Sequence, residues 1–192
     1  YPIQGILKYH GMANWALRTA YLPSISLNND AAYTLTVVQF AAGLDADLVT
    51  INGIPADIHA RSRVIQTLDT VRSLARIETR ALVVSHNVTR ATRVGKGLGT
   101  SASASAALAM AAICATLGPE LATNRRFLSC LSRLLAGSGC RSATGGVSLW
   151  LSHPNVSHED SYAVRLDQHD ELGDMRLVTV PIDSRIGLAT EA

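Results

Sequence analysis

The chain has 192 residues, 47% hydrophobic and 17% charged, and its 17 basic and 15 acidic side chains give a formal charge of +2. This composition argues against a disordered tail and fits one globular domain or a small two-domain unit. The most apolar stretch, residues 106–117, is shorter than the ~20 residues of a bilayer span, and the arginines form no basic run, so we predict neither membrane nor nucleic-acid binding.

The first half of the chain predicts strands followed by one helix. Residues 2–10 and 33–40 are rich in β-formers, and residues 48–54 contain the Asn-Gly pair that favours a tight hairpin. In residues 57–75 apolar side chains recur at helical spacing, which predicts an amphipathic helix packed on a sheet.

The second half predicts two helices between further strands. Residues 81–84 form a short apolar run that predicts a buried strand. A polar loop then leads into an alanine-rich helix over residues 101–117, ended by Gly118-Pro119. A second helix is predicted over residues 123–135. Three strands are predicted over residues 147–151, 162–166 and 176–180. The order of elements predicts an α+β fold.

Three cysteines, Cys114, Cys130 and Cys140, form no CxxC pair. Their spacing suggests neither a disulfide framework nor a zinc site. This pattern favours a protein of a reducing compartment. The first residues lack the pattern of a signal peptide, and we expect a cytoplasmic protein.

A glycine-rich turn precedes the alanine-rich helix. Backbone N–H groups at such a turn, together with the helix dipole, suit a phosphate. Its candidate nucleotide-binding residues are Lys96, Gly97, Gly99, Thr100, Ser101 and Ser103. The turn lacks the Gly-Lys-Ser/Thr ending of a Walker A loop, and a plain glycine-rich helix cap is the alternative.

A second turn, residues 137–142, contains Arg141, a side chain suited to clamping a carboxylate or phosphate. Its candidate partner is Lys8, at the end of the first predicted strand. A lysine within an apolar strand is costly to bury unless it is paired or functional. An edge-strand lysine that guards against aggregation is the alternative.

Four segments in order carry a resemblance: residues 1–12, 21–27, 97–103 and 138–142. On these the chain resembles the mevalonate-pathway decarboxylases of the GHMP kinase superfamily, and most closely the phosphomevalonate decarboxylases. The resemblance implies a mixed sheet with a left-handed βαβ crossover, ATP and Mg²⁺ as cofactors, and a homodimer. It also implies that residues 1–180 form the N-terminal, ATP-binding domain and residues 181–192 the start of a truncated C-terminal region.

The resemblance implies ATP-dependent decarboxylation of mevalonate 5-phosphate. Arg141 would hold the substrate carboxylate with Ser138 and Gly139, Lys8 would act on the transferring phosphoryl group, and Ser101 would lie near the metal. Tyr9 and Arg185 would contact the substrate phosphate. The family's catalytic aspartate is expected in a C-terminal half that this sequence lacks.

Departures from the family pattern bear on the substrate. Met12 stands where diphosphomevalonate enzymes usually carry a second lysine, which favours a monophosphate. Ala136 replaces one serine of the substrate turn. The alternatives are a diphosphomevalonate decarboxylase, a mevalonate 3-kinase-like enzyme and a catalytically silent nucleotide-binding fragment.

Overall fold

The computed structural model describes residues 1–89, 98–167, 169, 172 and 174–178. Within them the chain forms ten strands and five helices. The strands are β1 (Ile3–Leu7), β2 (Met12–Asn14), β3 (Thr19–Ala20), β4 (Ser24–Asn28), β5 (Ala32–Phe40), β6 (Leu48–Ile51), β7 (Ile54–Pro55), β8 (Ala81–Thr89), β9 (Val147–Trp150) and β10 (Ala163–Arg165). The helices are α1 (Ile58–Ala75), α2 (Thr100–Thr116), α3 (Pro119–Ala122), α4 (Arg125–Arg133) and α5 (Gly139–Thr144).

The first sheet has the order β1-β4-β9-β10, and all of its pairs are antiparallel. Small serines face its buried side: Ser24, Ser26 and Ser148 are fully buried, and the hydroxyls of Ser26 and Ser148 lie 3.4 Å apart. Strands β2 and β3 form a separate antiparallel pair beside this sheet.

The second sheet has the order β5-β8-β6-β7 and is mixed, as expected. Strand β8 is antiparallel to β5 but parallel to β6, and β6 and β8 are connected through β7 and α1 in a crossover. The predicted Asn52-Gly53 turn joins β6 to β7.

Helices α1 and α2 pack on the inner face of the second sheet. Helix α1 begins where the Asp57 carboxylate accepts a hydrogen bond from the Ala60 N–H (2.8 Å), and it ends at Arg76 in a left-handed conformation. Val38 of β5, Val83 of β8 and Leu108 of α2 share one buried cluster. A second cluster, beside α5 and the first sheet, consists of Tyr9, Met12, Ala20, Cys140, Trp150 and Ala163.

Several element predictions need correction. The first strand ends at Leu7 instead of residue 10, and β8 continues to Thr89 instead of ending at residue 84. Strands β2, β3 and β4 and the short helix α3 were not predicted, and the turn at residues 137–142 is largely helix α5. Residues 176–178 form no strand, and the remainder of that predicted strand, residues 179–180, lies outside the described residues.

Candidate functional site

An aromatic wall forms where the chain leaves β1. Tyr9 turns inward and is 5% exposed, and its ring meets the fully buried Trp150 edge-on, with centroids 5.0 Å apart and planes at 88°. The Trp150 Nε1–H donates a hydrogen bond to Ser161 Oγ (3.1 Å), which fixes the indole. This wall gives one side of the candidate site a rigid surface.

Arg141 of α5 lies against this wall, with its Cζ 5.6 Å from the Tyr9 ring centroid. The side chain is buried, and its Nε and Nη1 atoms have no hydrogen-bond partner among the described residues. Burial lowers the pKa of the Arg141 guanidinium. A buried cation with two nitrogen atoms that lack an acceptor is costly unless it pairs with an anion. A guanidinium binds carboxylate or phosphate in a bidentate manner.

The turn before Arg141 is held by close packing. A Cβ on Gly139 would lie 2.4 Å from the Ser132 carbonyl oxygen and 2.5 Å from Ser105 Cβ, so only glycine fits there. The Gly139 N–H donates to the Ala136 carbonyl (2.7 Å). Ser138, at the start of α5, is half-buried and its side chain makes no capping hydrogen bond.

Met12 and Cys140 also contact this turn. A Cβ on Gly137 would lie 3.2 Å from the Tyr9 hydroxyl and 3.0 Å from Met12 Cε, so Tyr9, Met12 and Gly137 meet in one place. Burial raises the pKa of the Cys140 thiol to about 12, and its S–H donates to the Gly137 carbonyl (3.0 Å). Cys140 is therefore a neutral packing group beneath Arg141 and not a nucleophile.

Lys8 is exposed, in contrast to Tyr9 beside it. It follows the last residue of β1 instead of lying within an apolar strand, so the expected burial cost does not arise. Its aliphatic stem passes over Gly5, where a Cβ would lie 2.8 Å from Lys8 Cγ. Lys8 and Tyr9 are therefore neighbours in sequence with opposite exposure: the Tyr9 side chain is buried, whereas the Lys8 side chain is exposed to solvent.

The second part of the candidate site is the N-terminus of α2. Gly99 adopts a left-handed conformation (φ 72°), and neither a side-chain cap nor an acidic residue occupies the first turn. Thr100 is partly buried, Ser101 is exposed and Ser103 is buried with no partner for its hydroxyl in the described part of the chain. Lys96, Gly97 and Arg185 lie outside the described residues.

A cavity of about 210 Å³ opens beside this helix end, between the second sheet and helices α1 and α2. Thr100, Ser101 and Ala104 line it on the α2 side, and Ser85 and Asn87 line it on the sheet side. Thr34 Oγ1 donates to Asn87 Oδ1 (2.8 Å), which leaves the Asn87 amide N–H₂ as a donor. Ser85 and Asn87 were not predicted from the sequence; the available signal was their two-residue spacing, which places both side chains on one face of a strand.

The described residues contain no cluster of three or more His, Cys, Asp or Glu side chains that would bind a metal, and all three cysteines are free. No helix among them is both long and apolar enough to cross a membrane. The hydroxyls of Thr100 and Ser101 are hard oxygen donors, of the kind that completes a Mg²⁺ shell made mainly of phosphate oxygens.

Comparison with known proteins gives a family match. The sequence model of the diphosphomevalonate decarboxylase-like N-terminal domain matches residues 1–163. This range includes Lys8, Tyr9, the start of α2 and Arg141.

Two curated relatives are similar over most of the chain. It is 32% identical to the mevalonate 3,5-bisphosphate decarboxylase of Thermoplasma volcanium, over 88% of this chain and 46% of the relative. It is 33% identical to the phosphomevalonate decarboxylase of Haloferax volcanii, over 90% of this chain and 51% of the relative. The chain therefore spans about half the length of these relatives.

A solved structure of mevalonate diphosphate decarboxylase from Enterococcus faecalis, described for its ATP binding mechanism, matches with a TM-score of 0.74 and 34% identity. The match covers 86% of this chain and 49% of the solved one. It supports a GHMP-type fold for the described strands and helices.

Proposed function

Since the chain belongs to the family of diphosphomevalonate decarboxylase-like N-terminal domains, we propose that it binds mevalonate 5-phosphate and ATP for an ATP-dependent decarboxylation. The products would be isopentenyl phosphate, ADP, phosphate and CO₂, as part of cytoplasmic isoprenoid biosynthesis. Both curated relatives are named as decarboxylases of a phosphorylated mevalonate.

The observation that carries this proposal is Arg141. Its buried guanidinium has two nitrogen atoms without a partner in the described chain, next to the rigid surface of Tyr9. The substrate carboxylate would supply the missing anion. A carboxylate can accept two parallel hydrogen bonds from Nη2 together with one of these two nitrogens, and such a pair would fix the direction of the carbon–carbon bond that breaks.

ATP would bind at the start of α2. The open helix N-terminus would hold phosphate oxygens, and the adjoining cavity, with its Asn87 donor, would receive part of the nucleoside. One solved relative is in complex with AMPPCP and magnesium. Bound Mg²⁺ would neutralise charge on the transferring phosphoryl group, with Ser101 as a ligand.

Four further substrate contacts remain predictions. Ser138 and Gly139 would help to hold the carboxylate, and Tyr9 the 5-phosphate. Lys8 would turn from solvent toward the phosphoryl group, which an exposed flexible side chain can do at little cost. Arg185 would add a cation at the substrate phosphate.

The residue at position 12, Met12, favours a substrate with a single phosphate group. It is 5% exposed and packs beside Gly137 and Tyr9, so this wall presents a thioether and no cation for a second phosphate. A second candidate substrate is mevalonate 3,5-bisphosphate, which the Thermoplasma volcanium relative is named for. That substrate already carries the 3-phosphate, so its decarboxylation needs no phosphoryl donor.

A calorimetric titration of the chain tests whether it prefers the monophosphate or the diphosphate of mevalonate. We expect mevalonate 5-phosphate to bind in the presence of AMPPCP and Mg²⁺, and more tightly than the 5-diphosphate. The matched variant Met12→Lys is expected to reverse this order because it restores a cation. Tighter binding of the 5-diphosphate to the unaltered chain would contradict the monophosphate assignment.

A turnover measurement distinguishes the reactions. CO₂ released from mevalonate 5-phosphate only when ATP is present supports the proposal. ADP without CO₂ would indicate a 3-kinase, and CO₂ released only from the 3,5-bisphosphate, without ATP, would indicate the alternative substrate. Nucleotide binding without binding of any of these substrates would indicate a silent nucleotide-binding domain.

A further inference from the structure

Trp150 supports the candidate site from behind. It is fully buried in β9, the strand between β4 and β10. Its ring meets the Tyr9 ring edge-on, with centroids 5.0 Å apart. A Cβ on Gly137 would lie 3.4 Å from Trp150 Cη2, so the indole also packs against the turn that leads to Arg141. The same indole therefore contacts two segments of the site that are distant in sequence.

A hydrogen bond to Ser161 sets the orientation of this indole. Trp150 Nε1–H donates to Ser161 Oγ (3.1 Å), and the Ser161 hydroxyl donates to Ser152 Oγ (3.4 Å). Ser152 Oγ accepts from the Ala20 N–H (2.8 Å) and donates to the Ala20 carbonyl (3.0 Å). Ser152 and Ser161 are both buried. A buried indole N–H that turned away from Ser161 would lose its acceptor, which is costly.

The backbone of Ser161 is held independently of the indole. Its carbonyl accepts from Nη1 of the fully buried Arg133 in α4, and its N–H donates to the Ser157 carbonyl (3.1 Å). These contacts come from parts of the fold other than β9. The position of the Ser161 hydroxyl is therefore set by its surroundings, and the Trp150 indole is oriented by it.

We propose that Trp150 and Ser161 are positioning residues for substrate binding. Ser161 orients the indole, and the indole holds the Tyr9 ring against Arg141, whose Cζ lies 5.6 Å from the ring centroid. A Tyr9 ring that moves changes the surface on which the guanidinium packs, and with it the direction of the guanidinium donors. These roles rest on the proposed function, in which Tyr9 and Arg141 contact the substrate.

The nucleotide site provides an internal reference. The described residues that line its cavity include Ser85, Asn87 and Thr100 but neither Trp150 nor Ser161. A changed indole orientation should therefore weaken the binding of mevalonate 5-phosphate and leave the binding of AMPPCP unchanged. A general loss of structure would weaken both.

Calorimetry on a double-mutant cycle tests the inference. Ser161→Ala is expected to weaken the binding of mevalonate 5-phosphate by about 3- to 10-fold, the range of one net hydrogen bond. Trp150→Phe should weaken it at least as much, since it removes the indole N–H and part of the ring. Because Ser161 acts through the indole, adding Ser161→Ala to Trp150→Phe should cause no further loss. If Ser161→Ala does not fold, Ser161→Cys keeps a weak acceptor of similar size and should show a smaller loss.

The matched control is Ser148→Ala. Ser148 is another fully buried serine of the first sheet, and its hydroxyl lies 3.4 Å from that of Ser26. This variant should bind mevalonate 5-phosphate and AMPPCP as the unaltered chain does. AMPPCP affinity should be unchanged in every member of the cycle.

The indole N–H signals in an NMR spectrum test the contact between Ser161 and Trp150 directly. The chain has two tryptophans, and Trp15→Phe identifies the signal of Trp150. Ser161→Ala should shift this signal to lower frequency and speed its exchange with deuterated water, because the N–H loses its acceptor. The signal of Trp15, whose side chain is exposed, should not move.

Three results would overturn the inference and leave the proposed function in place. They are an unchanged Trp150 signal in Ser161→Ala, an unchanged affinity of that variant for mevalonate 5-phosphate, and losses in Ser161→Ala and Trp150→Phe that simply add. An equal loss of AMPPCP affinity would also overturn it, since the role would then be structural. An unaltered chain that binds AMPPCP but not mevalonate 5-phosphate would overturn both the inference and the proposed function.

Discussion

Two buried arginines, only eight positions apart, differ in their hydrogen-bond partners. Arg133 is fully buried, and it donates through Nε to the Leu17 carbonyl (2.8 Å), through Nη1 to the Ser161 carbonyl and through Nη2 to His158 Nδ1. Arg141 has two nitrogen atoms with no acceptor in the described chain. The first arginine connects three segments of the protein, whereas we propose that the second binds an anion of the substrate.

The His158 contact with Arg133 predicts a pH dependence of stability. Burial first, and the Arg133 charge second, lower the pKa of His158 below its ordinary 6.5. Below pH 6.5 the unfolded chain therefore binds more protons than the folded one. Stability should be complete above pH 6.5 and should decrease as the pH falls through 6.5 toward the lowered pKa.

Urea unfolding at pH 8.0 and pH 5.5 measures this effect. His158→Asn keeps an acceptor for Arg133 but does not titrate, so its loss of stability between the two pH values should be smaller than that of the unaltered chain. His153→Asn, which removes an exposed imidazole, is the control. An equal loss in His158→Asn and the unaltered chain would show that His158 is not the group responsible.

At the scale of elements, a buried ion pair fixes the end of α1 to the second sheet. Arg72 of α1 pairs with Asp47, which is 3% exposed and also accepts from the Ala81 N–H at the start of β8 (2.7 Å). Arg72 donates further to the Thr79 carbonyl (2.9 Å) and to Asp69 (2.6 Å), whose side chain is 57% exposed.

Removing one partner of this buried ion pair should lower the free energy of unfolding. Asp47→Asn leaves the Arg72 charge buried beside a neutral amide and is expected to lower the free energy of unfolding by about 3–5 kcal/mol. Asp69→Asn removes the exposed partner of the same arginine and should cost less than about 1 kcal/mol. Urea denaturation measures both, and equal losses would show that burial does not determine the effect.

The elements that the sequence predicted well are those with a regular apolar pattern. Helix α1 and strand β5 lie where the periodicity placed them. Strand β4 escaped prediction because its buried side chains, Ser24 and Ser26, are small and polar. Strand β8 continues past its apolar run because Ser85 and Asn87 find hydrogen-bond partners across the strand pair in Thr36 and Thr34, a pairing that no local pattern reveals.

At the scale of the whole molecule, the two halves of the candidate site lie on different parts of the fold. Tyr9 belongs to the cluster at the first sheet, with Arg141 against its ring, whereas the cavity at Asn87 lies at the second sheet. Sequence motifs predicted Arg141, Tyr9 and the α2 turn as candidate site residues, since each lies in a local pattern. The cavity lining and the missing partners of Arg141 depend on contacts between distant segments, so the sequence did not reveal them.

We propose that Arg141 binds the substrate carboxylate. Calorimetry on four combinations tests it: the unaltered chain and Arg141→Ala, each with mevalonate 5-phosphate and with an analogue whose carboxylate is replaced by a hydroxymethyl group. The unaltered chain should prefer the carboxylate about 10- to 100-fold, as expected for a charged hydrogen bond. Arg141→Ala should show no preference between the two ligands, with AMPPCP affinity unchanged. An Arg141→Ala protein that keeps the full preference for the carboxylate would show that Arg141 does not bind this group.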